Sequence, residues 1–121
     1  MILAVYGTLR RGGPANHLLR GASYLGKDKI PGKLYNLGSF PGYRAEGDGS
    51  VVVDLYKLPE RFADMLGAID RYEGCYPSTP DQSLYNRRSV TTLSGKLSVV
   101  TYAYKFPSTN EIPSGDWFDV T

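Results

Sequence analysis

Ser50-Val51-Val52-Val53-Asp54-Leu55-Tyr56-Lys57-Leu58 runs directly into Pro59-Glu60-Arg61-Phe62-Ala63-Asp64-Met65-Leu66-Gly67-Ala68-Ile69-Asp70-Arg71-Tyr72-Glu73-Gly74, and the hydrophobic pattern changes period at Pro59. The first segment is rich in β-branched and aromatic residues and follows Asp48-Gly49, a tight-turn pair, so it predicts a strand leaving a hairpin. In the second segment Phe62, Met65, Leu66, Ile69 and Tyr72 fall on one face at about 100° per residue, which predicts a helix from Pro59 to about Tyr72. A strand feeding a helix, in a chain whose other ordered segments read as strands, sets the class as α+β.

Working toward the N-terminus, Ile2 to Tyr6 is a continuous apolar run closed by Gly7 and reads as a buried strand. Gly7-Thr8-Leu9-Arg10-Arg11-Gly12-Gly13 is a glycine-bounded loop, and Pro14 to Arg20 reads as a short helix ended by Gly21. Tyr24-Leu25-Gly26 and Lys33-Leu34-Tyr35 read as short strands, with Gly38 to Tyr43 a turn-rich segment. Toward the C-terminus, Cys75 to Ser83 is a polar loop. Arg87 to Thr92 and Leu97 to Tyr104 read as strands joined by Ser94-Gly95-Lys96, and an irregular tail runs from Pro107 to Thr121. With no repeat or linker, 1–121 reads as a single, mostly antiparallel β domain with one or two helices. The pattern leaves open whether the strands close into a barrel.

Composition narrows the classes. A chain of 121 residues with 41% hydrophobic and 21% charged residues matches an ordinary globular domain and is long enough to bury a core unaided. A net charge of +2, with basic residues dispersed apart from Arg10-Arg11 and Arg87-Arg88, argues against nucleic-acid binding. The apolar N-terminal run is too short for a membrane span and lacks a basic leader, so no membrane partner is expected and the cytoplasm is the expected location. A single cysteine, Cys75, allows no intramolecular disulfide, and Cys75 with His17, the only histidine, is too small a set for a metal site. A Cys75–His17 nucleophilic pair is opposed by the position of Cys75 just past a helix C-terminus, which disfavours a thiolate.

Glu73 stands out chemically. It follows Ile69 by four residues and Leu66 by seven, so a helix that reaches it projects its carboxylate from the apolar face. Burial there raises a carboxyl pKa, and the negative end of the helix, marked by Gly74, adds to the effect. A carboxyl with a raised pKa in a cleft suits a proton shuttle. The alternative is that the helix ends earlier and Glu73 points to solvent. Asp70, on the flank of the same face, is expected to brace nearby backbone. The loop from Gly7 offers successive amides that suit an anion, but it carries neither the Gly-Lys-Ser/Thr ending of a phosphate loop nor a dinucleotide fingerprint, and a plain structural turn is the competing reading.

Taken together, Tyr6-Gly7-Thr8-Leu9-Arg10-Arg11-Gly12 after an N-terminal strand and Ile69-Asp70-Arg71-Tyr72-Glu73-Gly74 at a helix end resemble the γ-glutamylcyclotransferase-like family, closest to its γ-glutamylamine cyclotransferase branch and small bacterial relatives. Gly32 to Gly38 with Pro41-Gly42, Tyr85-Asn86-Arg87 and Gly115-Asp116-Trp117 extend the resemblance over nearly the whole chain. It implies a small mixed β-barrel flanked by helices, a pocket between the first-strand loop and the glutamate, and no cofactor or metal. The implied reaction is cyclisation of a γ-glutamyl amide or γ-glutamylamine to 5-oxoproline. Glu73 is the implied general base and acid, and the Gly7, Thr8, Leu9 and Arg10 amides are the implied holders of a substrate carboxylate or oxyanion. Tyr6, Tyr85 and Tyr104 are candidate pocket hydroxyls, with packing the equal alternative for each.

The chain departs from the family at Val51-Val52-Val53-Asp54, where Val-x-Gly-Glu is frequent; a valine in place of that glycine is expected to bear on pocket size. The expected partner is a small γ-glutamyl compound, and the expected state is a monomer or homodimer. The alternative to an enzyme is a non-catalytic module that keeps the pocket for a small carboxylate or amine.

Overall fold

The computed structural model describes residues 1–119. Seven strands form one mixed sheet: β1 (Ile2–Val5), β2 (Ser23–Pro31), β3 (Lys33–Asn36), β4 (Pro41–Arg44), β5 (Ser50–Lys57), β6 (Tyr85–Thr91) and β7 (Ser98–Tyr104). One α-helix, α1 (Ala63–Glu73), crosses between β5 and β6. Along the sheet the order is β2-β5-β1-β7-β4-β3, with β6 on the other edge of β7. β1 and β4 lie parallel to β7 and share its edge in succession, β1 opposite Val100 and β4 opposite Ala103, while the remaining pairs are antiparallel.

The sheet curls into a half-barrel. Its curl is held where the β6–β7 turn reaches back to β2: Leu93 N–H donates to Lys29 O at 2.8 Å, and the Asp28 carboxylate accepts the Ser94 and Gly95 amides at 3.0 and 2.9 Å. Lys96 takes a left-handed conformation in that turn (φ 56°), at the place where the sequence predicts the Ser94-Gly95-Lys96 reversal.

Two cores flank β1, as its alternation requires. Leu3 and Val5 pack with Leu66 and Ile69 of α1 and with Tyr56 and Tyr102. Ala4 and Tyr6 pack on the opposite side with Ile30, Tyr43, Val51 and Val53. The apolar stripe of α1 is thus the wall of the first core, and it fixes which way the end of the helix points.

Several expected elements are corrected. The Pro14–Arg20 helix is a single 3₁₀ turn, Asn16–Leu19, so one α-helix rather than flanking helices accompanies the sheet. α1 begins at Ala63, after a Phe62 N-cap that makes no side-chain cap, so Pro59 to Arg61 lead into the helix and do not open it. Gly38 to Tyr43 is only partly a turn, because Pro41 to Arg44 form β4. β2 continues well beyond Gly26, to Pro31. The sheet is mixed and mostly antiparallel, as expected, with the sequence-distant β1 and β4 both joining β7 in parallel. The irregular tail closes in a 3₁₀ turn at Trp117–Asp119; positions 120 and 121 lie outside the described residues.

Candidate active site

The helix does reach Glu73, its last residue. Gly74 follows in the left-handed conformation (φ 66°), its N–H directed back to the Asp70 and Arg71 carbonyls, which ends the helix where a side chain at 74 would be strained. Glu73 therefore stays in register with Leu66 and Ile69 and projects into a cavity of about 370 Å³, walled by the end of β1, the Gly7–Leu9 loop, Phe40-Pro41, the end of α1 and Leu84-Tyr85. No hydrogen bond or ion pair to its carboxylate is found among the described residues, and burial pushes its pKa up to about 7.

Gly7 makes the opposite wall possible. A Cβ at this position would stand 2.6 Å from Pro41 Cγ, so the turn out of β1 can press against the start of β4 only as glycine. Arg10 N–H donates to Gly7 O at 3.0 Å, tightening the turn, and Ala15 N–H donates to Thr8 O at 2.9 Å. The Thr8 and Leu9 amides find no protein acceptor among the described residues, and both residues line the cavity. Across the mouth, the Thr8 hydroxyl and the Tyr72 hydroxyl share a hydrogen bond of 2.8 Å, linking the loop to the helix residue beside Glu73.

The tyrosines divide. Tyr6 and Tyr85 line the cavity with Glu73. Burial first, and the Glu73 charge second, push both hydroxyls well above the ordinary tyrosine pKa, so each stays a neutral O–H. Tyr6 donates to Tyr102 O at 2.7 Å and Tyr85 donates to Pro41 O at 2.8 Å, leaving their oxygens free only as acceptors. Tyr104 is not a cavity wall; its ring packs on Tyr85 with centroids 5.1 Å apart.

Arg10 is also placed elsewhere. Its amide closes the Gly7 turn, and its side chain, 1% exposed, turns behind the loop to Asp54 (Nε–Oδ2 3.4 Å) and Asp116 (Nη1–Oδ1 2.6 Å), under the Phe118 ring at 4.1 Å. Asp54 Oδ2 also accepts Arg11 N–H at 2.9 Å. Arg10 thus brings together β5, the C-terminal tail and the loop from behind the cavity. Val53, fully buried in the second core, is not a cavity wall either.

Sequence reasoning did not find the setting of Asp70. Its carboxylate accepts Arg87 Nε at 3.0 Å, a second bond from Arg87 Nη2, and the Tyr102 hydroxyl. These partners fasten the end of α1 to β6 and β7. The one available signal was Tyr85-Asn86-Arg87, which puts Tyr85 and Arg87 on the same side of a strand, one against the cavity and the other against Asp70. Cys75 is buried, its thiol raised by burial and then by Asp70, and His17 is exposed on the 3₁₀ turn; neither lines the cavity.

A curled mixed sheet with one helix packed on it is the fold of a class of small domains, and comparison with known proteins places the chain among them. The family model described as gamma-glutamyl cyclotransferase, AIG2-like, matches residues 3–119. The chain belongs to that family. A Pyrococcus horikoshii relative, named Putative gamma-glutamylcyclotransferase PH0828, is 30% identical over 118 residues, covering 98% of this chain and 91% of the relative. The crystal structure of PH0828 superposes with a TM-score of 0.76 at 26% identity, over 99% of this chain and 92% of that one. The solution structure of the Escherichia coli protein ytfP gives a TM-score of 0.70 at 28% identity, over 99% and 98% of the two chains. A mouse AIG2-like protein, at 23% identity and a TM-score of 0.65 over 92% and 86%, shares the fold. Among the described residues no helix is long and apolar enough to cross a membrane.

Proposed function

We propose that the cavity catalyses intramolecular aminolysis of a γ-glutamyl amide, releasing 5-oxoproline and an amine. The observation that carries this reading is Glu73: a carboxyl with a pKa of about 7, in one cavity with the Thr8–Leu9 loop, where among the described residues neither the carboxylate nor the two loop amides have a protein partner. In the reaction the substrate α-amine attacks its own γ-carbonyl carbon, the bond to the leaving nitrogen breaks, and no water is consumed. Glu73 takes the proton from the attacking amine and delivers it to the leaving nitrogen, a shuttle for which a pKa near working pH is best matched. The Thr8 and Leu9 amides hold a substrate carboxylate or the developing oxyanion. The enclosed walls hold the γ-glutamyl chain curled for ring closure, which supplies the entropic share of the rate.

The test is 5-oxoproline release from a panel of γ-glutamyl compounds, including ε-(γ-glutamyl)-lysine. Glu73→Gln is expected to lower turnover by about 10²–10⁴-fold with the fold intact. Turnover is expected to rise with pH through about 7, as Glu73 loses its proton, and to go on rising as the substrate amine, with a pKa of about 8, does the same. Undiminished turnover in Glu73→Gln overturns the mechanism.

A further inference from the structure

Past the Gly7 loop the chain forms a second hollow, of about 530 Å³, between the segment that runs from Gly12 to Ala22 and Tyr56 of β5. It shares no wall residue with the Glu73 cavity. Its charge has one sign. Arg20 and His17 are walls, both are exposed, and neither side chain takes part in an ion pair among the described residues. No aspartate or glutamate is a wall. Asp54, on the same face of β5 as Tyr56, is already bound by Arg10 and by the Arg11 N–H.

A buried donor faces these cations. Tyr56 is only 5% exposed, and its hydroxyl oxygen accepts Asn16 Nδ2 at 3.0 Å, but the hydroxyl proton has no acceptor among the described residues. Asn16 Nδ2 also donates to Leu9 O at 2.8 Å. A carbonyl oxygen only accepts, so the Asn16 amide is held this way round and both its protons are in use. A buried hydroxyl with a proton to give is costly until something accepts it. The complement of that donor and two free cations is an anion with several acceptor oxygens. A carboxylate offers two oxygens in one plane. A phosphoryl group offers three, which donors on separate walls can meet, and carries close to two negative charges at neutral pH.

We propose that this hollow binds a phosphoryl group, as inorganic phosphate or as the phosphate of a small monoester, with Tyr56 donating from within and Arg20 and His17 from the rim. The site stands independently of the cyclotransferase reading, yet it reaches the same loop. Asn16, which holds Tyr56, also holds Leu9 O, and Leu9 is a wall of the Glu73 cavity. A ligand that takes the Tyr56 proton therefore bears on the Leu9 peptide.

The test is a titration of the full chain with inorganic phosphate, with glycerol phosphate and with acetate, at constant pH and constant ionic strength in chloride. It is read by NMR from the imidazole of His17, the only histidine, and from the Leu9 amide. Saturable shifts at both sites are expected with inorganic phosphate or glycerol phosphate, and the tighter of the two identifies the source of the group. Arg20→Gln is expected to weaken binding about 10-fold, the scale of one charge-assisted hydrogen bond, and Tyr56→Phe about 3-fold. Arg20 is exposed and its backbone bond to His17 O is untouched by the substitution, so that variant keeps the fold. Shifts that never saturate, acetate binding as tightly as phosphate, or an unchanged affinity in Arg20→Gln each overturn the site. A saturable His17 shift with the Leu9 amide unmoved overturns its link to the loop.

Discussion

Behind the Gly7 loop, Arg10 is 1% exposed and reaches two carboxylates, Asp54 and Asp116; in front of the loop, Glu73 is desolvated with no partner among the described residues. The two places lie on either side of one short turn and treat buried charge in opposite ways. Where charge is matched, it fixes geometry: the rear cluster ties the loop to β5 and to the tail. Where it is left unmatched, it stores a proton: Glu73 is costly to ionise, and that cost is what brings its pKa into the working range. The same contrast recurs within α1. Asp70, one turn before Glu73, is saturated by Arg87 and Tyr102 and holds the helix end in place.

Removing the match at the rear should have the largest effect on stability. Arg10→Met leaves Asp54 and Asp116 facing each other without a cation, and a loss of about 3–5 kcal/mol is expected in urea unfolding at neutral pH. Glu73→Gln should act in the opposite direction. The folded protein keeps the Glu73 proton up to about pH 7, whereas the unfolded chain releases it near the ordinary glutamate value of 4.5. The wild type therefore loses stability as pH rises between these values, by at most about 3 kcal/mol. The variant should be more stable than wild type above about pH 8 and equal to it below about pH 4, as read by unfolding at both.

Arg87→Met sharpens the comparison inside α1. It should cost about 1–2 kcal/mol, since Arg87 is 36% exposed on its side chain and Tyr102 still holds Asp70. The smallest effect belongs to Asp28→Asn at the seam of the half-barrel, about 1 kcal/mol. Although its partial burial works the other way, the Gly95, Lys29 and Ser94 amides together hold the Asp28 carboxyl below its ordinary range. The stability this carboxylate adds is present above the unfolded value of 3.8 and is lost as pH falls through the folded one. The difference between Asp28→Asn and wild type should therefore vanish in strong acid, which unfolding across pH would reveal.

Glu73 was legible in the sequence because the helical period is local: Leu66, Ile69 and Glu73 share a stripe whatever the stripe packs on. The strand of Ile2 to Val5 and the hairpin at Ser94-Gly95-Lys96 were legible for the same reason. β4 was hidden because Pro41 and Gly42 read as turn residues. In the sheet, Gly42 is required by contact: a Cβ there would meet Tyr104 at 3.0 Å. The far half of β2 was hidden by Lys27-Asp28-Lys29, whose charges break the apolar alternation: the two lysines face solvent, and Asp28, on the opposite face, is half-buried against the β6–β7 turn. The parallel pairings to β7 and the turn of Arg10 toward Asp54 and Asp116 had no local signature, since the partners lie 44 and 106 residues away. The sequence counted the Arg10 amide among those offered to an anion, whereas in the structure that amide is taken by Gly7 O.

The place of β1 in the sheet has a consequence for how the molecule comes into being. β1 lies between β5 and β7, and Arg10, just past it, is gripped by Asp116. β1 therefore has one of its two neighbours only after residues 98–104 have been synthesised, and the loop after it has its rear anchor only after residue 116. Contacts of such long range close late and slowly. A nascent chain would carry the Gly7 loop, and from residue 73 onward Glu73 as well, without the closed pocket until the tail came into place.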